Sequence, residues 1–182
     1  HLRTPKYAGF QLLALNDYSG QGSALVGLTD VFFGDKGYIS APEFREFCSP
    51  IVPLAKFGKF TYTTDETFNA EISLSQFSDK ELRDAKAHWE IDCGNNILAK
   101  GDFDVRTLPV GQNIPLGNVS VPLSGIAKAG KYTLTVSIPG TEARNHWDFW
   151  VYDTKSCDIP EKTKDQVWNG IYITDTLNAK VQ

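Results

Sequence analysis

Long apolar runs are missing from this chain: nothing approaches the eighteen or so consecutive apolar residues of a membrane-spanning helix. Basic clusters are missing too. Eighteen Lys plus Arg stand against 22 Asp plus Glu, a net charge of −4, with no group dense enough to neutralise a row of phosphates, which argues against nucleic acid as a partner. Cys48, Cys93 and Cys157 are odd in number, widely spaced and without a CxxC pair, so neither a zinc site nor a disulfide framework is signalled. They read as three small packed or free thiols, with one disulfide as the alternative. His1, His88 and His146 have no metal-ligand spacing, and neither a metal nor a cofactor is expected. His88 falls on the polar side of its segment and is expected to be solvated. No GxSxG elbow supports a nucleophile, and the GQG at Gly20 to Gly22 lacks both a Walker lysine and a dinucleotide fingerprint.

What is present is ordinary globular composition, 41% apolar and 22% charged, in 182 residues: one well-cored domain with appendages, or two small ones. The most strand-like stretch is Asn145 to Tyr152, NHWDFWVY. Period-two alternation places Trp147, Phe149 and Val151 on one side and His146, Asp148, Trp150 and Tyr152 on the other. Upstream, Phe68, Ala70, Ile72 and Leu74 alternate with polar residues, as do Ala85, Ala87, Trp89 and Ile91, and Trp89 is expected to meet the core. Cys93-Gly94-Asn95-Asn96 leads as a turn into Ile97 to Lys100. Asp102 to Val105, Val119 to Leu123 and Tyr132 to Ile138 supply further strands. Ser78 to Asp84 reads as a polar connection. About seven to eight strands with turn signals near every ten residues predict a mainly β chain, an immunoglobulin-like β-sandwich over residues 57–152.

Before the sandwich, residues 1–56 read as a short α/β lead-in. Gly9 to Leu15, GFQLLAL, suits a strand covered on both faces. Ser23 to Phe33 reads as a short helix despite Gly27. Ser40-Ala41-Pro42-Glu43 reads as an N-cap, a first-turn proline and an acid at N3, leading into a helix through Cys48. An EF-hand over Asp30 to Glu43 fails, because its register puts Lys36 at a ligand position. After the sandwich, Asp153 to Lys164 carries Pro160 and six charged residues, a linker, and Gln166 to Thr174 reads as one strand of an incomplete following unit. The start at His1 and the stop soon after that strand suggest a piece of something longer.

Two strings add a resemblance. GFQLLALNDYSGQGSALVG, Gly9 to Gly27, and EFREFCSPIVPL, Glu43 to Leu54, resemble the end of the catalytic barrel in bacterial glycoside hydrolases of the family 2, β-galactosidase-like, type. The sandwich down to NHWDFWVY resembles the immunoglobulin-like domain that follows it, so the likeness spans roughly residues 2–152. The two carboxylic acids of that family sit on earlier barrel strands, and no stretch here matches them, so no catalytic residue is carried over. The resemblance implies a non-catalytic accessory part of a sugar-cleaving enzyme, in the periplasm or at the cell surface. Its partners would be the catalytic barrel and neighbouring domains.

Within the chain, Asn16, Asp17 and Gln21 are candidates for sugar contact, since amides and carboxylates suit hydroxyl groups and the expected place is the mouth of a strand. The alternative is a turn in which Asn and Asp bond their own backbone. His146, Trp150 and Tyr152 form a second candidate set, an aromatic platform for a polysaccharide or oligosaccharide; the alternative for Trp150 is packing against a neighbouring domain. Asp102 and Asp104 share a strand face, and a solvated sandwich surface accounts for them better than a catalytic pair.

Overall fold

A computed structural model describes residues 2–4, 6, 9–20, 25–126 and 128–154, and the backbone of strands at 166–168 and 171–173. The period-two segments pair into two facing sheets. One holds β1 (Ile51–Lys56), β3 (Thr67–Gln76) and β8 (Gly111–Pro122) in the order β1-β3-β8. The other holds β2 (Thr61–Thr63), β5 (His88–Cys93), β6 (Asn96–Asp102), β9 (Gly130–Ser137) and β10 (Arg144–Tyr152), in the order β2-β10-β9-β5-β6. All pairs within the two sheets are antiparallel except β2 with β10, which is parallel. The chain is therefore a mainly β, immunoglobulin-like sandwich. A small pair, β4 (Leu82–Ala85) with β7 (Arg106–Leu108), lies outside the two sheets, and β11 (Gln166–Trp168) pairs with β12 (Ile171–Ile173).

The inward face of each strand fills the core. Phe68 of β3 and Phe149 of β10, both fully buried, stack across the two layers with centroids 4.3 Å apart and planes 20° apart. Tyr62 and Tyr132 close around Phe149 at 5.8 and 5.9 Å. Ile72, Leu74, Ile91, Leu134 and Val136 extend the core to either side. Trp89 faces the core but is only partly buried, and it packs over Gly101 of β6. Cys93 and Cys48 are free thiols; Cys157 lies outside the described residues.

Several local expectations change. Gly9 to Leu15 is not a strand: Phe10, Leu12, Leu13 and Leu15 are all exposed, and among the described residues no strand pairs along the segment, whose end meets only an isolated bridge from Asn16 to Thr29. Residues 25–33 are not helical; Gly27 is pressed against the Asn16–Asp17 backbone, where a Cβ would come within 2.2 Å of the Asn16 carbonyl carbon. The sandwich takes in Ile51–Lys56, whose alternation is masked because both faces are covered. β8 begins at Gly111 although only Val119 onward alternates plainly, since Gly111, Asn113, Pro115 and Gly117 accommodate two register shifts opposite β3. Ser78 to Asp84 contains the start of β4, residues 103–105 are not strand, and the segment expected as one strand at Gln166 to Thr174 is a two-stranded pair.

The predicted helix forms as α1 (Ala41–Phe47). Ser40 caps it in a capping box: its backbone N–H donates to the Glu43 carboxylate at 2.7 Å, and its hydroxyl accepts from the Glu43 N–H at 3.4 Å. Arg144 and His146 of β10 both bind the Glu46 carboxylate, His146 Nδ1 at 2.5 Å, and Arg45 reaches Glu142. Nearby, Arg3 donates to the Ala55 carbonyl at 2.6 Å and Asn145 to the Pro53 carbonyl at 2.9 Å. Arg3 of the lead-in and Asn145 of β10 thus meet carbonyls of β1 that would otherwise be bare.

Candidate functional site

The first candidate set is bound up in the lead-in. Asp17 is buried, and its carboxylate accepts the Lys36 ammonium at 2.9 and 3.0 Å and the Gly27 N–H at 2.8 Å. Lys36 also donates to the carbonyls of Leu25 and Gly27, and the Tyr38 hydroxyl donates to Gly27 as well. The Lys36 ammonium beside it holds the Asp17 carboxyl below the usual carboxylate range, against burial, which works the other way. The same partnership raises Lys36 above the ordinary lysine value. Asn16 donates its side-chain N–H to the Asp17 carbonyl, and its backbone bridges to Thr29. Asp17 and Asn16 therefore serve a local polar centre that pins three loop segments together. Gln21 lies outside the described residues. The rejected EF-hand segment is built the same way: Asp30 accepts the N–H groups of Phe32 and Gly34 in a turn.

Many of the described apolar side chains of the lead-in before β1 stay exposed. Phe32 is 88% exposed, Leu13 85%, Leu25 69% and Phe33 65%. An open hollow of about 510 Å³ lies between this loop and α1, lined by Leu12, Leu15, Leu28, Phe33, Ile39 and Phe44.

The second set divides. His146, Asp148, Trp150 and Tyr152 point away from the core, as alternation requires, while Trp147 packs against it. His146 is engaged with Glu46 and is a docking residue for α1. Trp150 and Tyr152 stay open, 39% and 49% exposed. In register, Trp150 lies beside Thr61 of β2 and Lys131 of β9, and Tyr152 beside Thr63. Asp148 accepts the Thr133 hydroxyl at 2.9 Å and the Lys131 ammonium at 3.1 Å.

Several carboxylates elsewhere are paired with cations. Asp102 meets Lys86 at 2.5 Å and His88 at 2.7 Å, and these partners, Lys86 first, hold its pKa down. His88 is thus half-buried and paired instead of freely solvated, an arrangement that the β5–β6 register creates by setting it opposite Asp102. Glu66 is held down mainly by Lys59, then by the Thr63 N–H. Among the described residues no three His, Cys, Asp or Glu side chains converge as a metal site, and no helix is long and apolar enough to cross a membrane.

Comparison with known proteins adds little to this chemistry. Residues 66–153, from the turn before β3 to the end of β10, match the family described as Domain of unknown function (DUF8488). No curated protein matches the chain. Among solved structures it is similar to a CARDB domain from Pyrococcus furiosus at 10% identity and TM-score 0.44, over 56% of this chain and 94% of that one. It is similar to the sporulation control protein Spo0M of Bacillus subtilis at 9% identity and TM-score 0.40, over 57% and 49% of the two chains. A β-glucosidase involved in saponin metabolism from intestinal bacteria is similar at 12% identity and TM-score 0.40, over 58% of this chain and only 16% of that one. Likenesses this distant carry no functional argument.

Proposed function

We propose that this chain is a non-catalytic, structural part of a larger glycoside hydrolase of the β-galactosidase-like type, exported to the periplasm or cell surface. The observation that carries the accessory role is the exposed apolar content of the lead-in: Leu13, Leu25, Phe32 and Phe33 are all more than half exposed, and Phe33 also lines the open hollow with Leu12, Leu15 and Phe44. Large apolar side chains exposed together in one segment mark a surface that another protein part covers. The sandwich, by contrast, has its own buried core and is a support on which the lead-in rests through Glu46, Arg144 and His146. The parent enzyme is named by the resemblance of Gly9 to Gly27 and Glu43 to Leu54 alone.

Two assays test the reading. Purified chain should leave nitrophenyl glycosides intact; turnover proportional to its concentration, and lost on replacing its own carboxylates, would refute the non-catalytic role. An antibody to the chain, used on source cells, should detect a polypeptide far larger than 20.2 kDa that carries glycosidase activity. A native band at 20.2 kDa would remove the parent enzyme from the argument.

A further inference from the structure

We infer that the outer face of the five-stranded sheet around Trp150 and Tyr152 is a binding platform for a neutral polysaccharide. The inference goes beyond the accessory reading and stands on a different surface. Trp150 and Tyr152 are two residues apart on one strand, so their side chains emerge on the same side about 7 Å from each other. The strand beneath them is held on both sides. Phe149 and Val151, the alternate residues, are fully buried, the Trp150 N–H donates to the Phe60 carbonyl at 2.7 Å, and β10 is paired on both sides by β2 and β9. Two exposed aromatic rings, each with only two side-chain torsions and carried on a strand held in this way, cost little further order when they meet a ligand.

Chemistry around the rings selects the occupant. Asp148, with its side chain 33% exposed, already accepts from Thr133 and Lys131 and keeps lone pairs for further donors. Lys131 and Thr61 flank Trp150 in register and add a donor and a hydroxyl. A pyranose has an apolar C–H face that stacks on an aromatic ring and an equatorial fringe of hydroxyl groups, and it matches rings set among such groups. A protein interface fits less well, because its centre is depleted of charged residues, whereas here an ion pair adjoins the rings. Nucleic acid fits worse still, since the acidic groups on the outward rows are matched by cations, Asp148 by Lys131, Asp102 by Lys86 and Glu90 opposite Lys100, which leaves no excess of positive charge among them to hold phosphates. A face whose charges cancel in this way favours a neutral glycan over an acidic one.

The test is affinity electrophoresis of the whole chain through native gels containing galactan, xyloglucan, mannan or mixed-linkage glucan, with polygalacturonate as the anionic comparison. The platform predicts retardation by at least one neutral polysaccharide. It also predicts that Trp150→Ala and Tyr152→Ala each weaken the association about tenfold or more, as loss of a central aromatic contact does. Both positions face outward, and an unchanged near-ultraviolet circular dichroism spectrum and melting curve would show that the fold persists. Trp147→Phe, on the inward side, should leave retardation in place. The inference is overturned by no retardation in any of the four neutral gels, by retardation that survives both substitutions, or by retardation in polygalacturonate alone. It is also overturned if the rings prove to mediate self-association, seen as a dimer by ultracentrifugation that Trp150→Ala dissolves without glycan. None of these outcomes bears on nitrophenyl glycoside turnover or on the size of the source polypeptide.

Discussion

Replacing Phe149 by alanine should be among the most damaging single changes in this chain. The ring lies at 0% exposure on β10, stacked on Phe68 of β3 and bordered by Tyr62 of β2 and Tyr132 of β9. Truncation of a buried phenylalanine costs about 3 to 5 kcal/mol, from lost transfer energy plus the cavity left behind. The upper half of that range applies here. The neighbours sit on three strands of two sheets, each held by its own ladder, so the cavity cannot readily collapse. The stacked and edge contacts contribute a further 0.5 to 1.5 kcal/mol or so beyond area alone. Phe149→Leu, which keeps most of the volume but loses the ring geometry, should cost about 1 to 2 kcal/mol. Against a typical domain stability of about 5 to 15 kcal/mol, the alanine variant loses a third or more of the total. Urea unfolding followed by tryptophan fluorescence reads this as a lower midpoint at unchanged slope. Trp150→Ala, one residue along and facing outward, should stay within about 0.5 kcal/mol of the parent. If Phe149→Ala came within 1 kcal/mol of the parent, or Trp150→Ala proved the worse of the two, the inward and outward assignment along β10 would be wrong.

Gly117→Ala should also destabilise, by about 1 to 3 kcal/mol. Gly117 has φ +153° within β8, and an added Cβ would come 2.7 Å from the Phe103 ring, so backbone and side chain both object. Equal midpoints for the variant and the parent in urea would count against this account. Acid should weaken the fold through Asp17, Glu66 and Asp102, whose lysine partners hold them below their ordinary values. Each binds a proton less readily folded than unfolded, so its contribution is fully present well above the unfolded value near 4 and is lost as pH falls toward and through the lowered folded value. Urea midpoints should therefore decline from about pH 5 downward; a midpoint flat or rising between pH 5 and pH 3 would contradict it. In that same range the Gly27 amide, bonded to Asp17, should lose hydrogen-exchange protection in the parent, whereas in Lys36→Met it should already be unprotected near neutrality.

Alternation along NHWDFWVY determined by itself which side chains of β10 face inward, because the period of a strand leaves no third option. The same rule made Phe68 to Leu74 and Trp89 to Ile91 legible, and Ser40 to Glu43 announced its helix through a cap whose hydrogen bonds are local. What lay outside local rules was missed or misread. GFQLLAL has the composition of a buried strand, but a strand exists only through a neighbour, and among the described residues none pairs along it. β8 hides its first half behind Gly, Asn and Pro because bulges break alternation. Asp17 was visible as a polar residue after an apolar run, yet nothing nearby in sequence indicated that Lys36, nineteen positions away, would claim its carboxylate. His146 likewise stood out on the polar side of its strand, but only the docking of α1 decided that Glu46 would hold it while Trp150 and Tyr152 remained open. Period and caps act over a few residues and can be read from the chain; cover, ion pairing and exposure depend on what the fold brings from elsewhere.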